Sequence, residues 1–171
     1  MSVWYQLFLR FTDILLLRRG PQDLPSSKYY LVLLILLNLL AGALLFAGQD
    51  EGNTESLQTL FDLGLALIMY TTVLYLRGVQ ERVVQTLTAF TGTGLLLTLV
   101  LFPISLLLAP GGDALFLSVG RLMFMALLIW SLTVDGHIFR HALDTNMMVG
   151  LACAVAVFVA RIFILEAIWP S

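Results

Sequence analysis

Residues 147 to 169 read MMVGLACAVAVFVARIFILEAIW, an apolar run broken only by Arg161 and Glu166. A bilayer hydrocarbon core ~30 Å thick takes about 20 apolar residues in a helix rising 1.5 Å per residue, and this run has that length. Four more such stretches precede it, separated by short polar turns: Leu115 to Val134, Val83 to Ala109, Leu57 to Leu76 and Tyr29 to Ala47. The sequence therefore predicts an all-α polytopic membrane protein whose residues 29–171 form five transmembrane helices.

Composition agrees. Apolar residues make up 60% of the 171 positions and charged ones 12%, against about 45–50% and 25% in soluble domains. Mean hydropathy is +0.96. A net charge of −2 and a pI near 5.5 provide no basic field for nucleic acid, so no such partner is expected. The single cysteine, Cys153, can form neither an intramolecular disulfide nor a multi-cysteine metal site and reads as a packing residue.

Residues 1–19 lack the cleavage site and uninterrupted apolar core of a secretory signal. They are amphipathic instead, with Ser2, Gln6, Arg10 and Asp13 at helical spacing on one side and Trp4, Leu7, Phe8, Phe11, Ile14 and Leu15 on the other. The expectation is a helix lying in the membrane surface, its aromatic rings among the headgroups. Residues 20–28 follow as an elbow. Gly20, Pro21 and Pro25 stop the helix, while Arg18, Arg19 and Asp23 make the segment a charged, stiff turn at the membrane surface, with the arginines anchored to anionic lipid.

Lys and Arg outside the spans fall on one side. The N-terminal segment holds Arg10, Arg18, Arg19 and Lys28, the turn after the second span Arg77 and Arg82, and the turn after the fourth Arg140. The other two turns hold Asp50, Glu51, Glu55 and Asp113 but no Lys or Arg. Positive loops stay inside, which predicts a cytoplasmic N-terminus, an external C-terminus and, in a bacterium, the inner membrane.

Ionisable residues within spans are functional candidates because burying them in lipid is expensive. Four qualify: Asp62, Arg121, Arg161 and Glu166. Helix rise puts all four in the outer half of the bilayer, where Asp62 can pair with Arg121 or Arg161. The cluster reads either as a structural clasp or as a polar pocket for a headgroup or small solute. Toward the cytoplasm only Asn38, Thr71, Thr72, Thr91 and Thr93 offer polar groups, too few for a proton relay. His137, His141 and Asp144, at i, i+4 and i+7, are a weak metal candidate, and a solvated interfacial turn is preferred. No nucleophile or phosphate-loop motif is present, and neither catalysis nor a cofactor is expected.

Small residues recur in the last span: Ala152, Ala156 and Ala160 at one four-residue spacing, Gly150 and Ala154 at another. Such rows let helices approach closely, within the chain or between copies. Pro103 should kink the third span and free a carbonyl within reach of Thr98 or Ser105.

Five spans, short loops and a cytoplasmic N-terminal segment, together with Arg19-Gly20-Pro21-Gln22-Asp23-Leu24-Pro25 and the stretch from Gly136 to Leu143, resemble Yip1-type membrane proteins and small bacterial five-span inner-membrane proteins. The resemblance implies a non-catalytic accessory or scaffold whose partners are the lipid bilayer and other membrane proteins or further copies of itself. The alternative is a small transporter or lipid-binding protein built on the buried charges.

Overall fold

The computed structural model describes residues 3–45, 52–108 and 113–170. Among them the regular elements are α1 (Val3–Leu15), a 3-10 turn at Pro21–Asp23, α2 (Lys28–Leu45), α3 (Gly52–Leu76), a 3-10 turn at Gln80–Arg82, α4 (Val83–Leu107), α5 (Ala114–Ala142) and α6 (Met147–Ile168). Four segments are long and apolar enough to cross a membrane: Leu57–Leu76 in α3, Gln80–Leu107, Ala114–Ala142 and Met147–Ile168. The fifth apolar helix, α2, is shorter, about 27 Å at 1.5 Å per residue. Phe46 and Ala47, the acidic positions Asp50 and Glu51, and the Pro110-Gly111-Gly112 turn lie outside the described residues.

The fourth stretch does not end at Val134. α5 runs on to Ala142, so most of the segment expected to be a turn is helical. The reason is burial: Gly136, His137, Ile138 and Phe139 are enclosed, and enclosed backbone must find its hydrogen bonds within the chain. The helix stops only when Leu143 has been buried and Asp144 takes up φ +48°.

The N-terminal helix packs one side onto the bundle. α1 buries Leu7, Phe11 and Ile14 in the common core, and a Cβ built on Gly92 would overlap the Phe11 ring. A helix this short is marginal by itself, and the α4 surface holds it. Its remaining side stays apolar and exposed through Trp4, Tyr5, Phe8 and Leu9, with Trp4 edge-on to Tyr30 at 6.0 Å.

The elbow packs on the bundle as well. Gly20 and Pro21 are buried, and Leu24 is 2% exposed. Its backbone is held from both sides: Gln85 Nε2 donates to the Leu24 carbonyl (2.9 Å), Arg10 to the Asp23 carbonyl, and His137 Nε2 to the Arg19 carbonyl (2.9 Å). Arg19 pairs with Asp13 at 3.1 Å, leaving Arg18 exposed. α1 and the elbow thus form a cap over the basic end of the bundle.

α4 runs through the middle of the bundle, flanked by α2 and α5, and α5 packs along α6. That last pair approaches closely at Gly136 and Gly150. A Cβ on Gly150 would overlap the Gly136 carbonyl oxygen and lie 2.8 Å from the Arg140 nitrogen. α3 buries only Ala66, Tyr70 and Leu74 among its described residues.

Candidate functional site

α3 is tied to α6 by charge. Arg161 donates from Nε to Asp62 Oδ1 at 2.8 Å and from a terminal nitrogen to Oδ2, the two-pronged geometry that suits guanidinium and carboxylate. At 1.5 Å per residue both groups sit ~21 Å from the helix ends at the basic end, so they meet at one level. Of the two arginines in reach by depth, Arg161 is therefore the partner. Arg121 is exposed near the opposite end of α5, and Glu166 is exposed on α6 one turn beyond Arg161; neither stands in the clasp.

Arg161 also walls a cavity of about 370 Å³ lined by residues of α2, α3, α4, α5 and α6. A second carboxylate, Asp135, lines the same space. Tyr70 donates its hydroxyl to Asp135 Oδ2 at 3.3 Å, and Asp135 makes no ion pair among the described residues. Helix rise places Tyr70, Thr91 and Asp135 ~9–12 Å from the basic end and Arg161 ~21 Å from it. The polar groups consequently span the middle of the bundle and are not confined to its outer half.

Most donors lining the cavity are already engaged. Asn38 donates to the carbonyls of Leu34 and Thr91, both at 2.8 Å, pinning α2 to α4. Thr91, Thr98 and Ser131 each donate to a carbonyl of their own helix. What remains on offer is therefore mainly acceptor capacity: hydroxyl lone pairs, the Asn38 side-chain oxygen and the Asp135 carboxylate. With one guanidinium and two carboxylates, the group carries a net negative charge when all three are ionised. A cation or a donor-rich solute fits that wall, and a bare anion does not.

Three rings close the cavity toward the basic end. Tyr70 stacks on Phe90 with centroids 3.8 Å apart, and Phe139 stands edge-on to both at 5.5 and 5.1 Å. One turn of α4 beyond Phe90, Thr86 lines a second cavity of about 200 Å³ at the basic end. Its hydroxyl is buried with no partner among the described residues. The aromatic layer is thus a thin partition between two polar spaces.

The histidine pair lies beyond that partition. His137 and His141 face each other with ring centroids 4.6 Å apart, but His137 is held by the Arg19 carbonyl. Asp144 lies past the end of α5, off the helical face that i+7 spacing implied, and pairs with Arg82 at 2.7 Å. Among the described residues no three His, Cys, Asp or Glu stand together as a metal would require.

In α6 the small residues divide. Gly150 and Ala154 are buried on the α5 side, while Ala152 and Ala156 are exposed and Ala160 is half-buried. Pro103 lies within α4, but the nearby hydroxyls do not serve the carbonyl it frees: Thr98 donates to Gly94 and Ser105 to Phe102.

Sequence reasoning missed Asp135 and Tyr70. One signal was available for the first: Ser131 and Asp135 are four apart, hence on one face of a helix if the helix continues. No family model, curated protein or solved structure matches the chain.

Proposed function

We propose that this is a five-span integral protein of the bacterial inner membrane, N-terminus cytoplasmic and C-terminus external, that binds a small cationic, hydrogen-bond-donating solute in the central cavity without catalysing a reaction on it. The observation that carries the reading is Asp135, a carboxylate on the wall of a cavity about 370 Å³ in volume whose only guanidinium is already paired with Asp62. Ionisable groups at such depth are retained for a reason, and here the second carboxylate is not needed to balance the clasp. The one-sided distribution of Lys and Arg supports the orientation, and α2 supplies the fifth crossing.

The test is binding of ethylamine by the purified protein in nanodiscs of neutral phosphatidylcholine. Saturable binding to the wild type that Asp135→Asn weakens by at least about tenfold, or 1.4 kcal/mol, is the expected result. No saturable binding, or equal binding by both proteins, overturns the reading. Reporters after Ser171 and within the Arg77–Arg82 turn check the topology, and should lie outside and inside respectively.

One observation favours the accessory or scaffold reading. Ala152 and Ala156 are exposed on α6, where the bundle does not use them for close packing. If that face seats another membrane protein or a second copy, Ala156→Leu should disrupt the association while leaving the isolated chain as stable as before.

A further inference from the structure

The central cavity does not stop at its polar wall. Leu97, Thr98, Leu101 and Ser131 line it on one side and on the other line a second space of about 180 Å³ between α4 and α5, completed by Phe124, Leu127 and Leu128. The two helices meet on either side of this space. Toward the basic end Phe90 of α4 packs on Phe139 of α5, and toward the other end Gly120 of α5 lies against Leu107 and Leu108. Between those contacts α4 and α5 are parted by a groove with exposed apolar neighbours, Leu99, Val100 and Phe102 on α4 and Phe124 on α5. The polar space and the apolar groove adjoin, with Thr98 and Ser131 lining both.

Resting on the reading of the central cavity as a cation site, we propose that its ligand is an amine-headed single-chain amphiphile, whose ammonium group pairs with Asp135 while its hydrocarbon chain lies in the groove between α4 and α5. Charge complementarity selects the head, because the wall offers acceptors and an unpaired carboxylate. The groove accounts for the chain. A chain leaving lipid for a leucine-lined groove neither gains nor loses much hydrophobic energy, but dragging it past Asp135 and Arg161 would set it against groups that need polar partners. With the groove, the head reaches the carboxylate while the chain never leaves apolar surroundings. Entry is then lateral, from the membrane, and the aromatic partition of Tyr70, Phe90 and Phe139 can stay closed.

Two probes and a groove-filling substitution test this in phosphatidylcholine nanodiscs. Leu128→Trp places an indole in the groove, distant from Asp135. It should weaken dodecylamine binding by at least about tenfold and leave ethylamine within about twofold of the wild type. Retained ethylamine binding also shows that the variant is folded; if it is not retained, Leu127→Trp fills the groove from a position that does not line the central cavity. Asp135→Asn should weaken both amines. Equal effects of the indole on the two amines, or none on dodecylamine, overturn the chain site while leaving the cation site standing. Failure of both amines to bind the wild type overturns the cation site and the chain site together.

Discussion

Replacing Asp62 by Asn keeps the shape of the side chain and removes its charge, leaving the Arg161 guanidinium without its two-pronged partner. The two side chains are 30% and 21% exposed, so solvent screening softens the loss little. Breaking a buried pair by removing one member costs about 3–5 kcal/mol, and the presence of Asp135 on the same wall, as a substitute counter-charge, argues for the lower end, about 3 kcal/mol. That is a large part of the ~5–15 kcal/mol that holds a typical domain folded. α3 should yield first, since the clasp ties it to α6 and only Ala66, Tyr70 and Leu74 are buried along its described length. Equilibrium unfolding in nanodiscs or mixed micelles measures the change. Neutralising both partners with Asp62→Asn and Arg161→Gln should recover part of it, giving a coupling energy of at least about 1 kcal/mol. Asp62→Asn combined with Asp135→Asn should be worse than either alone. A single variant within about 0.5 kcal/mol of wild type, or strictly additive effects in the cycle, would refute the clasp.

Three further substitutions address the packing that frames the site. Gly150→Ala sets a methyl group against the Gly136 carbonyl and Arg140 backbone, so α5 and α6 must part; a loss of about 1–3 kcal/mol in the same unfolding assay is expected, and a neutral outcome contradicts the close approach. Gly92→Ala should displace the Phe11 ring and loosen α1, seen as a shift in Trp4 emission in a chain lacking the other two tryptophans and as faster proteolysis before Gly20; unchanged emission and cleavage would show that α1 does not lean on α4 there. Phe90→Ala should cost about 3–5 kcal/mol and breach the aromatic partition, speeding modification of Thr91→Cys by an impermeant thiol reagent applied from the basic side, with Cys153 replaced by Ser; an unchanged rate would mean that the rings are not the barrier.

The apolar runs made the all-α class and the four long span-like helices legible, because ~20 apolar residues between turns leave a chain few other solutions. Pairing was legible only as depth. Rise per residue put Asp62 level with both Arg121 and Arg161, but which arginine turns inward depends on the rotation of α5 and α6 about their axes. That rotation is set where Gly136 meets Gly150 and where Ala154 and Val157 are buried. The alanine row offered no guide, since Ala152 and Ala156 carry the same small-residue signal as Gly150 and Ala154 yet face outward. For α1 the amphipathic pattern identified the apolar side correctly, with Leu7, Phe11 and Ile14 on it, but an apolar helical face fits lipid and protein equally well. The decisive element was the gap at Gly92, on another helix.

Asp135 shows why the centre of the site escaped notice. Hydropathy ends a span at the first charged residue after an apolar run, which places the boundary at Val134 and consigns Asp135 to a solvated turn. In a lone helix that would be reasonable, since water would reach the carboxylate. Here the cap formed by α1 and the elbow extends the buried zone past that boundary: Arg19 gives its carbonyl to His137, Leu24 fills the core, and Ile138 and Phe139 are wholly enclosed. The same residues that read as a surface anchor therefore move a carboxylate from the rim of the bundle to the wall of its cavity. It follows that the cap and the site are coupled. Loosening α1 with Gly92→Ala should weaken ethylamine binding even though Gly92 does not line the central cavity, because the cap holds the inner end of α5 and thereby Asp135 beside Tyr70. Binding that stays at the wild-type level while α1 is demonstrably released would show that α5 keeps its position without the cap.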